Sequence, residues 1–172
     1  MTPGSGVVWA ADGAIATADH VVERDDDIRI GLADGRVVAA TLAGRDPTTG
    51  VALLRAEAGG LAVPQWHGAE GIRAGNVVLA LSRPGNTVRA QLAVVSAARP
   101  SWRTPSGGEV TAYLQTDLEP SWGFSGGLLV DASGKAIGMN TIGSCAAPRW
   151  PSRSGRWSAS YAAHAGTRAP RV

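Results

Sequence analysis

Three features of this sequence predict an all-β fold. Short runs rich in Val, Ile, Leu and Thr recur along the chain, bounded by clusters of Gly, Pro, Asp, Asn and Ser. Turn dipeptides of the Asp-Gly and Ser-Gly type lie between several of these runs. No segment keeps a helical spacing of apolar residues over three turns. This combination is typical of strands joined by tight turns rather than of a parallel α/β sheet.

Ten segments have the β-branched and aliphatic content of strands. In chain order they are residues 6–10, 14–18, 28–32, 36–44, 51–55, 76–82, 87–97, 110–116, 127–130 and 136–141. The pairs Asp12-Gly13, Asp34-Gly35 and Ser133-Gly134 lie between consecutive segments, where two-residue hairpins turn. Many short strands without helices between them predict a barrel or a sandwich.

Length and charge restrict the domain organisation and the class of partner. A chain of 172 residues forms one domain or two small lobes. The net charge is +2, but the segment from residue 146 onward carries five arginines and no acid. The remaining 11 bases and 14 acids give the body of the chain a net charge of −3. No nucleic-acid partner is therefore expected for the body. One alternative is left open, that Trp150 and Trp157 in the basic tail stack on nucleic acid.

The sequence predicts neither a thiol-based site nor a membrane-targeting segment. Cys145 is the single cysteine, so neither an internal disulfide nor a thiolate metal site is expected, and no cofactor is implied. No apolar run reaches the roughly 18 residues of a transmembrane helix. Residues 1–9 lack the charged and apolar regions of a signal peptide. We therefore expect a cytosolic chain as written; a start upstream of Met1 would leave room for a signal or an anchor.

Two residues suggest nucleophilic catalysis. Ser125 lies on the bare turn GFSGG before an apolar run, and His20 follows a predicted strand in TADHVV. Acyl transfer by a serine needs a histidine that takes its proton and an acid that orients the histidine, in no fixed chain order. Here the histidine precedes the serine by about a hundred residues. The two can meet only if two lobes face each other.

Six motifs together resemble those of the trypsin-like serine proteases, and more closely those of the HtrA/DegP-like branch. A single one of them would be weak, but they agree in order and spacing from Gly4 to about Gly143. They are GSG with TADHVV (4–6 and 17–22), LADGR (32–36), GRDPTTGVALL (44–54), RAG with Val78, Ala80 and Pro84 (73–84), QTD (115–117) and GFSGG (123–127).

The resemblance implies a two-lobed double β-barrel with a site between the lobes, and proteolysis of a polypeptide substrate. Carried over by position, Ser125 is the nucleophile and His20 the general base. The backbone N–H groups of Gly123 and Ser125 form the oxyanion hole. A glycine at position 123 suits this role, because the absence of a Cβ allows substrate to approach its amide.

The chain departs from the family at the triad acid, whose position falls on Gly50. Removal of this acid in related enzymes lowers turnover by about 10⁴-fold, or about 5–6 kcal/mol of barrier. Asp46 and Asp19 are the nearest alternatives, but Asp46 is up to roughly 13 Å away along an extended chain. Asp19 would point to the opposite face of a strand from its neighbour. We therefore expect a serine endopeptidase of weak or lost activity; the alternative is an inactive pseudoprotease that binds peptides.

A further candidate concerns substrate selection. Glu119 lies six residues before Ser125, where the family places the floor of its primary specificity pocket. An acid at this position would favour a basic substrate side chain. The alternative, which we favour, is a solvated turn glutamate.

Both ends of the chain also depart from the family. The family has a strand before GSG, and its GxNT segment is followed by another strand and a closing helix, so we expect a double barrel that is incomplete at both ends. The predicted protease domain covers residues 1–143, with lobes of about 1–70 and 71–143. Residues 144–172 are predicted to be a disordered tail or the product of a reading-frame shift. Read from their third bases, the codons of residues 149–161 permit L-A-I-P-V-G-T-V-E-R-V-V, the missing strand and helix start.

Overall fold

The computed structural model of the chain describes residues 4–99, 101–103, 107, 109–110, 112–119, 123–141 and 159–162. These residues form strands, turns and one short 3₁₀ helix, Asp19–Val21. The predicted all-β class is confirmed, as are the ten predicted strands, with ends that shift by a few residues. Within these ranges no helix has the length and apolarity needed to cross a bilayer.

The N-terminal half of the chain folds into a five-stranded antiparallel sheet. Its strands, in spatial order β1-β2-β5-β4-β3, are β1 (Gly6–Ala10), β2 (Ala14–Ala18), β5 (Val51–Ala56), β4 (Val37–Asp46) and β3 (Ile28–Gly31). Ile15, Ala52 and Leu54 form the centre of a small buried core on its inner face. Among the described residues this sheet stays open, with β1 and β3 as its edges.

The C-terminal half forms a closed six-stranded barrel. Its strands, in order around the barrel, are β10 (Ala112–Thr116), β13 (Ala159–Ala162), β12 (Ala136–Thr141), β11 (Leu128–Asp131), β6 (Val77–Ser82) and β7 (Arg89–Arg99). A separate two-stranded sheet pairs β8 (Trp102–Arg103) with β9 (Glu109–Val110). Leu114, Leu129 and Ile137 are almost fully buried and fill the interior of the barrel.

Part of the tail, which was predicted to be disordered or the product of a reading-frame shift, forms strand β13. Ala159–Ala162 pairs with β10 on one side and with β12 on the other and thereby closes the barrel. Unpaired strand edges accept any extended segment through backbone hydrogen bonds, so alternation of polar and apolar side chains was not required. The other residues of the tail lie outside the described ranges.

A connecting segment, residues 57–76, joins the two sheets, and the predicted lobe boundary near residue 70 lies within it. Trp66 forms a parallel bridge to Ala136 of the barrel, and the His67 N–H donates to the Ala136 carbonyl at 2.8 Å. The Trp66 ring also lies against Trp9 of β1, with ring centroids 5.2 Å apart. Trp66 therefore contacts the barrel through its backbone and β1 through its ring, which limits the relative movement of the two halves.

Candidate active site

The Ser125 turn, defined as residues 123–127, lies just before β11 and is buried throughout. The Gly127 N–H donates to the Phe124 carbonyl at 3.0 Å and closes the turn. Gly123 and Gly126 have φ angles of +88° and +81°, values that L-residues with a Cβ rarely adopt. Ser125 itself is 5% exposed. The bare glycine-rich sequence is thus explained by a tight turn that presents one serine.

Surrounding atoms also require glycine at three positions of the turn. A Cβ on Gly126 would lie 2.0 Å from the Ser5 carbonyl oxygen, and one on Gly127 would lie 2.0 Å from the Leu81 carbonyl oxygen. A Cβ on Gly123 would lie 2.5 Å from Pro84 Cβ. These distances are far shorter than a van der Waals contact. At these three positions the backbone of the turn therefore packs directly against its neighbours, with no space for a side chain.

Both sheets hold the Ser125 turn through backbone hydrogen bonds. On the barrel side, the Gly126 N–H donates to the Asn140 carbonyl and the Asn140 N–H donates to the Gly127 carbonyl, each at 2.7 Å. On the side of the N-terminal sheet, the Ser5 N–H donates to the Ser125 carbonyl at 3.0 Å. The turn is therefore fixed at the junction of the two halves.

His20 lies in the 3₁₀ helix that follows β2, and the end of β2 contacts the Ser125 turn indirectly. The Thr17 hydroxyl donates to the Ser5 carbonyl at 2.7 Å, and Ser5 in turn binds Ser125. The structure therefore brings the segments that carry His20 and Ser125 together, as the two-lobe prediction requires. His20 is exposed to solvent, whereas Ser125 is buried.

Arg45 of β4 holds the residues around His20 in place. Its guanidinium lies 3.0 Å from an Asp19 carboxylate oxygen and 2.6 Å from an Asp25 carboxylate oxygen. It also donates to the Val22 carbonyl at 3.1 Å. The Asp19 Oδ1 atom in this ion pair is buried and has no hydrogen-bond partner among the described residues. The contact with Arg45 is therefore an ion pair without hydrogen-bond geometry. Asp19 is thus directed toward arginine.

Desolvation lowers the pKa of His20 below its ordinary value of 6.5. The nearby Asp19 carboxylate acts in the opposite direction and raises it, but desolvation is the larger effect. The ion pair of Asp19 with Arg45 explains why its influence is limited, since the neighbouring cation offsets the negative charge. At neutral pH the imidazole is therefore mainly neutral, the form in which it can accept a proton.

Gly50 ends the turn between β4 and β5 and lies beside the His20 segment. Its carbonyl accepts a hydrogen bond from the Asp19 N–H at 2.8 Å. Its φ is +74°, and a Cβ built on it would have Thr141 Oγ1, 4.0 Å away, as its near neighbour. Position 50 thus borders the barrel, has room for a side chain, and adopts a backbone conformation that favours glycine.

Neither carboxylate considered as a replacement pairs with His20. Asp19 faces Arg45, and Asp46 accepts hydrogen bonds from the backbone and hydroxyl of Thr48 and from the hydroxyl of Thr49. Burial acts to raise the pKa of Asp46, but these hydrogen bonds outweigh it and lower the pKa below 3.8. Among the described residues, no ion pair joins a carboxylate to His20.

Glu119, the specificity candidate, is exposed and follows the buried Leu118. Residues 120–122, which connect it to the Ser125 turn, lie outside the described ranges. Within those ranges no group of three or more His, Cys, Asp or Glu side chains is placed to hold a metal ion. Trp150 and Trp157, the basis of the nucleic-acid alternative, are also outside the described residues.

Four residues that form the surroundings of the site had no predicted role. Ser5 and Thr17 link the His20 segment to the Ser125 turn, Pro84 packs on Gly123, and Thr141 faces Gly50. The first three belong to the quoted motifs, so the signal was present. Their contacts depend on which strands become neighbours, and the motifs contain no information about strand pairing.

Comparison with known proteins agrees with this geometry. The family described as a trypsin-like peptidase domain matches residues 4–139. The serine endoprotease DegS of Escherichia coli strain K12 is 37% identical over 145 residues, which is 82% of this chain and 40% of that protein. DegS of Haemophilus influenzae is 32% identical over 140 residues, 81% of this chain and 41% of that protein.

A solved structure of the HtrA-type protease AlgW with a decapeptide superimposes with a TM-score of 0.74 at 31% identity. It covers 93% of this chain and 48% of the AlgW chain. The chain spans about two fifths of the length of the DegS proteins that it matches. The motifs, the two curled sheets and these relatives agree, and the chain belongs to the trypsin-like peptidase family, in its HtrA-like branch.

Proposed function

We propose that this chain is a serine endopeptidase whose turnover is low because Gly50 stands at the position of the triad acid. The observation that carries the proposal is the Ser125 turn, which both sheets hold by backbone hydrogen bonds at 2.7–3.0 Å. An oxyanion hole made of backbone N–H groups needs a backbone that is held in one conformation. This turn, with its positive φ at Gly123, meets that requirement.

Ser125 Oγ attacks the peptide carbonyl while His20 takes its proton. The N–H groups of Gly123 and Ser125 donate to the oxyanion that develops on the carbonyl oxygen. His20 then gives the proton to the leaving amine, and water releases the acyl group by the reverse sequence. The low pKa of His20 favours the neutral base at pH 7. The reaction needs no cofactor.

The acid's absence weakens the histidine in two ways. No carboxylate selects the tautomer that accepts the serine proton, and none stabilises the imidazolium that forms. Asp19 and Asp46 are engaged with Arg45, Thr48 and Thr49. In a trypsin-like triad, loss of the acid lowers turnover by about 10⁴-fold, while the oxyanion hole and substrate binding retain a residual rate.

The substrate class that we propose is a polypeptide. The similar AlgW structure holds a decapeptide, which supports a peptide-binding cleft in a chain of the same fold. For Glu119 we propose the solvated-turn interpretation, because the residue lies at the surface.

A second candidate function is peptide binding without cleavage. It is favoured by Gly50, since the position has no carboxylate and the nearest acids point elsewhere. The oxyanion turn would then serve as a rigid wall of a binding cleft.

Labelling with a fluorophosphonate separates the two candidates, because this probe reacts only with an activated serine. We expect slow labelling of the chain as written, none of Ser125→Ala, and a strong reduction in His20→Ala. Binding of fluorescein-labelled casein to Ser125→Ala provides the second measurement. Absence of labelling together with intact casein binding would contradict the endopeptidase and favour the peptide-binding function.

A further inference from the structure

Ser5 lies immediately before β1 and uses all its polar groups at the junction of the two sheets. It is 7% exposed. Its N–H donates to the Ser125 carbonyl at 3.0 Å, and its carbonyl accepts from the Thr17 hydroxyl at 2.7 Å. Its own hydroxyl donates to the Gly123 carbonyl at 2.7 Å and accepts from the Arg83 N–H at 2.8 Å. A serine that is only a packing residue would not need this set of partners.

The hydroxyl has one available orientation. Because Arg83 donates to it, its lone pair on that side is occupied and its proton must point toward the Gly123 carbonyl. Both bonds have short, ordinary lengths; the bond to the Gly123 carbonyl is buried and the bond from the Arg83 N–H is partly buried, which limits competition from water. The direction of the hydroxyl is therefore set by the fold.

Gly123 is the residue whose backbone conformation such a contact restricts most. A glycine has no side chain that restricts rotation about its backbone bonds, and this one has a φ of +88°. Pro84 packs against its Cα and blocks one direction of movement. The Ser5 hydroxyl holds the carbonyl and with it the 123–124 peptide plane, which is joined through the Gly123 Cα to the plane of the Gly123 N–H and through the Phe124 Cα to the plane of the Ser125 N–H.

We propose that Ser5 is a positioning residue for the oxyanion hole. Its hydroxyl anchors the peptide plane between Gly123 and Phe124, which lies between the planes that carry the Gly123 and Ser125 N–H groups, and thereby restrains the directions of both donors. The inference rests on the proposed serine peptidase function. It also makes the residue before β1 of the N-terminal sheet part of a site whose serine turn leads into β11 of the barrel.

Ser5→Ala removes the anchor and takes this partner from the buried Gly123 carbonyl and from the partly buried Arg83 N–H. Loss of a direct oxyanion donor lowers turnover by about 10²–10³-fold, so an anchor that acts through that donor should contribute about 10–100-fold. Binding of the substrate ground state makes no use of the oxyanion geometry and should be unchanged.

Ser82→Ala is the matched control. Ser82 is a buried serine, 4% exposed, at the end of β6 next to Arg83, but its hydroxyl has no hydrogen-bond partner among the described residues. The same atom is removed from the same neighbourhood, and the removal of an unpartnered hydroxyl is nearly neutral in energy. Ser5→Cys is a second variant of similar size with a weaker donor, and it keeps the test valid if Ser5→Ala does not fold.

The experiment measures the fluorophosphonate labelling rate and the casein affinity of the full chain in each variant. We expect rates in the order Ser5, Ser5→Cys, Ser5→Ala, with casein affinity unchanged and Ser82→Ala close to the parent. Equal effects of Ser5→Ala and Ser82→Ala, or a parallel loss of casein affinity, would overturn the positioning role.

A second readout does not depend on catalysis. The ¹H–¹⁵N resonance of the Gly123 amide should move in Ser5→Ala and stay in place in Ser82→Ala. If no variant is labelled but this resonance moves as expected, the proposed peptidase function fails while the anchor is supported. An unmoved Gly123 resonance in Ser5→Ala would contradict the anchor itself.

Discussion

The two sides of the candidate active site differ in how tightly the fold holds them. On the serine side, Gly126 and Gly127 are surrounded by backbone atoms that leave no space for a Cβ, and hydrogen bonds tie the turn to both sheets. On the histidine side, His20 is exposed, and among the described residues the Thr141 hydroxyl, at 4.0 Å, is the one near neighbour of a Cβ built on Gly50. One backbone hydrogen bond, from Asp19 to Gly50, joins the His20 helix to the Gly50 turn.

This difference indicates which positions the fold constrains. A substitution in the Ser125 turn would disturb the packing of the two halves, because atoms of both lie against it. Position 50 has space around it and few contacts, so packing limits the residue there less. The fold therefore constrains the Ser125 turn more strongly than position 50.

The largest expected effect comes from Gly50→Asp, which tests the histidine side directly. A carboxylate that reaches His20 would stabilise the imidazolium, and we expect the fluorophosphonate labelling rate to rise by up to about 10⁴-fold, or about 5–6 kcal/mol of barrier. The positive φ at this position should reduce the free energy of unfolding by about 1–2 kcal/mol.

Gly50→Asn is its control, because it fills the same volume without the negative charge. Equal rates in Gly50→Asp and Gly50→Asn would show that the carboxylate is not the missing element on this side.

Gly126→Ala tests the serine side, with Gly134→Ala as its matched control. The two glycines have φ angles of +81° and +82°, but only Gly126 has backbone atoms at 2.0 Å from a built Cβ, whereas Gly134 has open space. We expect Gly134→Ala to lose about 1–2 kcal/mol of unfolding free energy from strain alone. Gly126→Ala should lose a further 1–3 kcal/mol, roughly, from overpacking.

Urea denaturation of both variants measures this difference. If the two midpoints coincide, the close approach at Gly126 does not contribute, and the serine side is less constrained than the structure indicates.

A smaller effect is expected at Asp46, which caps the turn that leads to Gly50. Asp46→Ala should lower the free energy of unfolding at pH 7 by about 1–2 kcal/mol, because the Thr48 and Thr49 donors lose their acceptor. The pKa of Asp46 is lowered in the folded protein, so its stabilisation is present above pH 3.8 and lost as the pH falls through the folded pKa. Unfolding curves at pH 7 and pH 3 check both statements. If Asp46→Ala lowers the free energy of unfolding by the same amount at pH 3 as at pH 7, the charged form of Asp46 does not contribute to stability.

The smallest effect concerns the pH dependence of labelling. Because the pKa of His20 is lowered, the labelling rate of the chain as written should fall only below pH 6.5. In Gly50→Asp the added carboxylate favours the imidazolium, so the midpoint should move upward. As the pH falls, His20 is protonated at a higher pH in the unfolded chain than in the folded protein. This residue therefore lowers the free energy of unfolding as the pH drops from 6.5 to its folded pKa. An acid limb at higher pH in the parent than in Gly50→Asp would contradict this assignment.

The strands were predictable because they depend on local patterns. Turn dipeptides such as Asp12-Gly13 and Ser133-Gly134 mark hairpins, and aliphatic runs between such turns form strands. The motifs around His20 and Ser125 carry the family's order and spacing. In contrast, Ala159–Ala162 has no strand signature of its own, and its pairing with β10 and β12 depends on the strand edges that those partners offer.

By itself the sequence determined the all-β class, the family and the identity of the residue at each candidate position, including the glycine at position 50. The tertiary structure decided how those residues are used. It directs Asp19 to Arg45 and Asp46 to Thr48 and Thr49, and it places the Ser5 hydroxyl on the Gly123 carbonyl. The physical reason is that strand formation follows short-range preferences, whereas a hydrogen bond between residues 118 positions apart exists only after the two sheets have packed together.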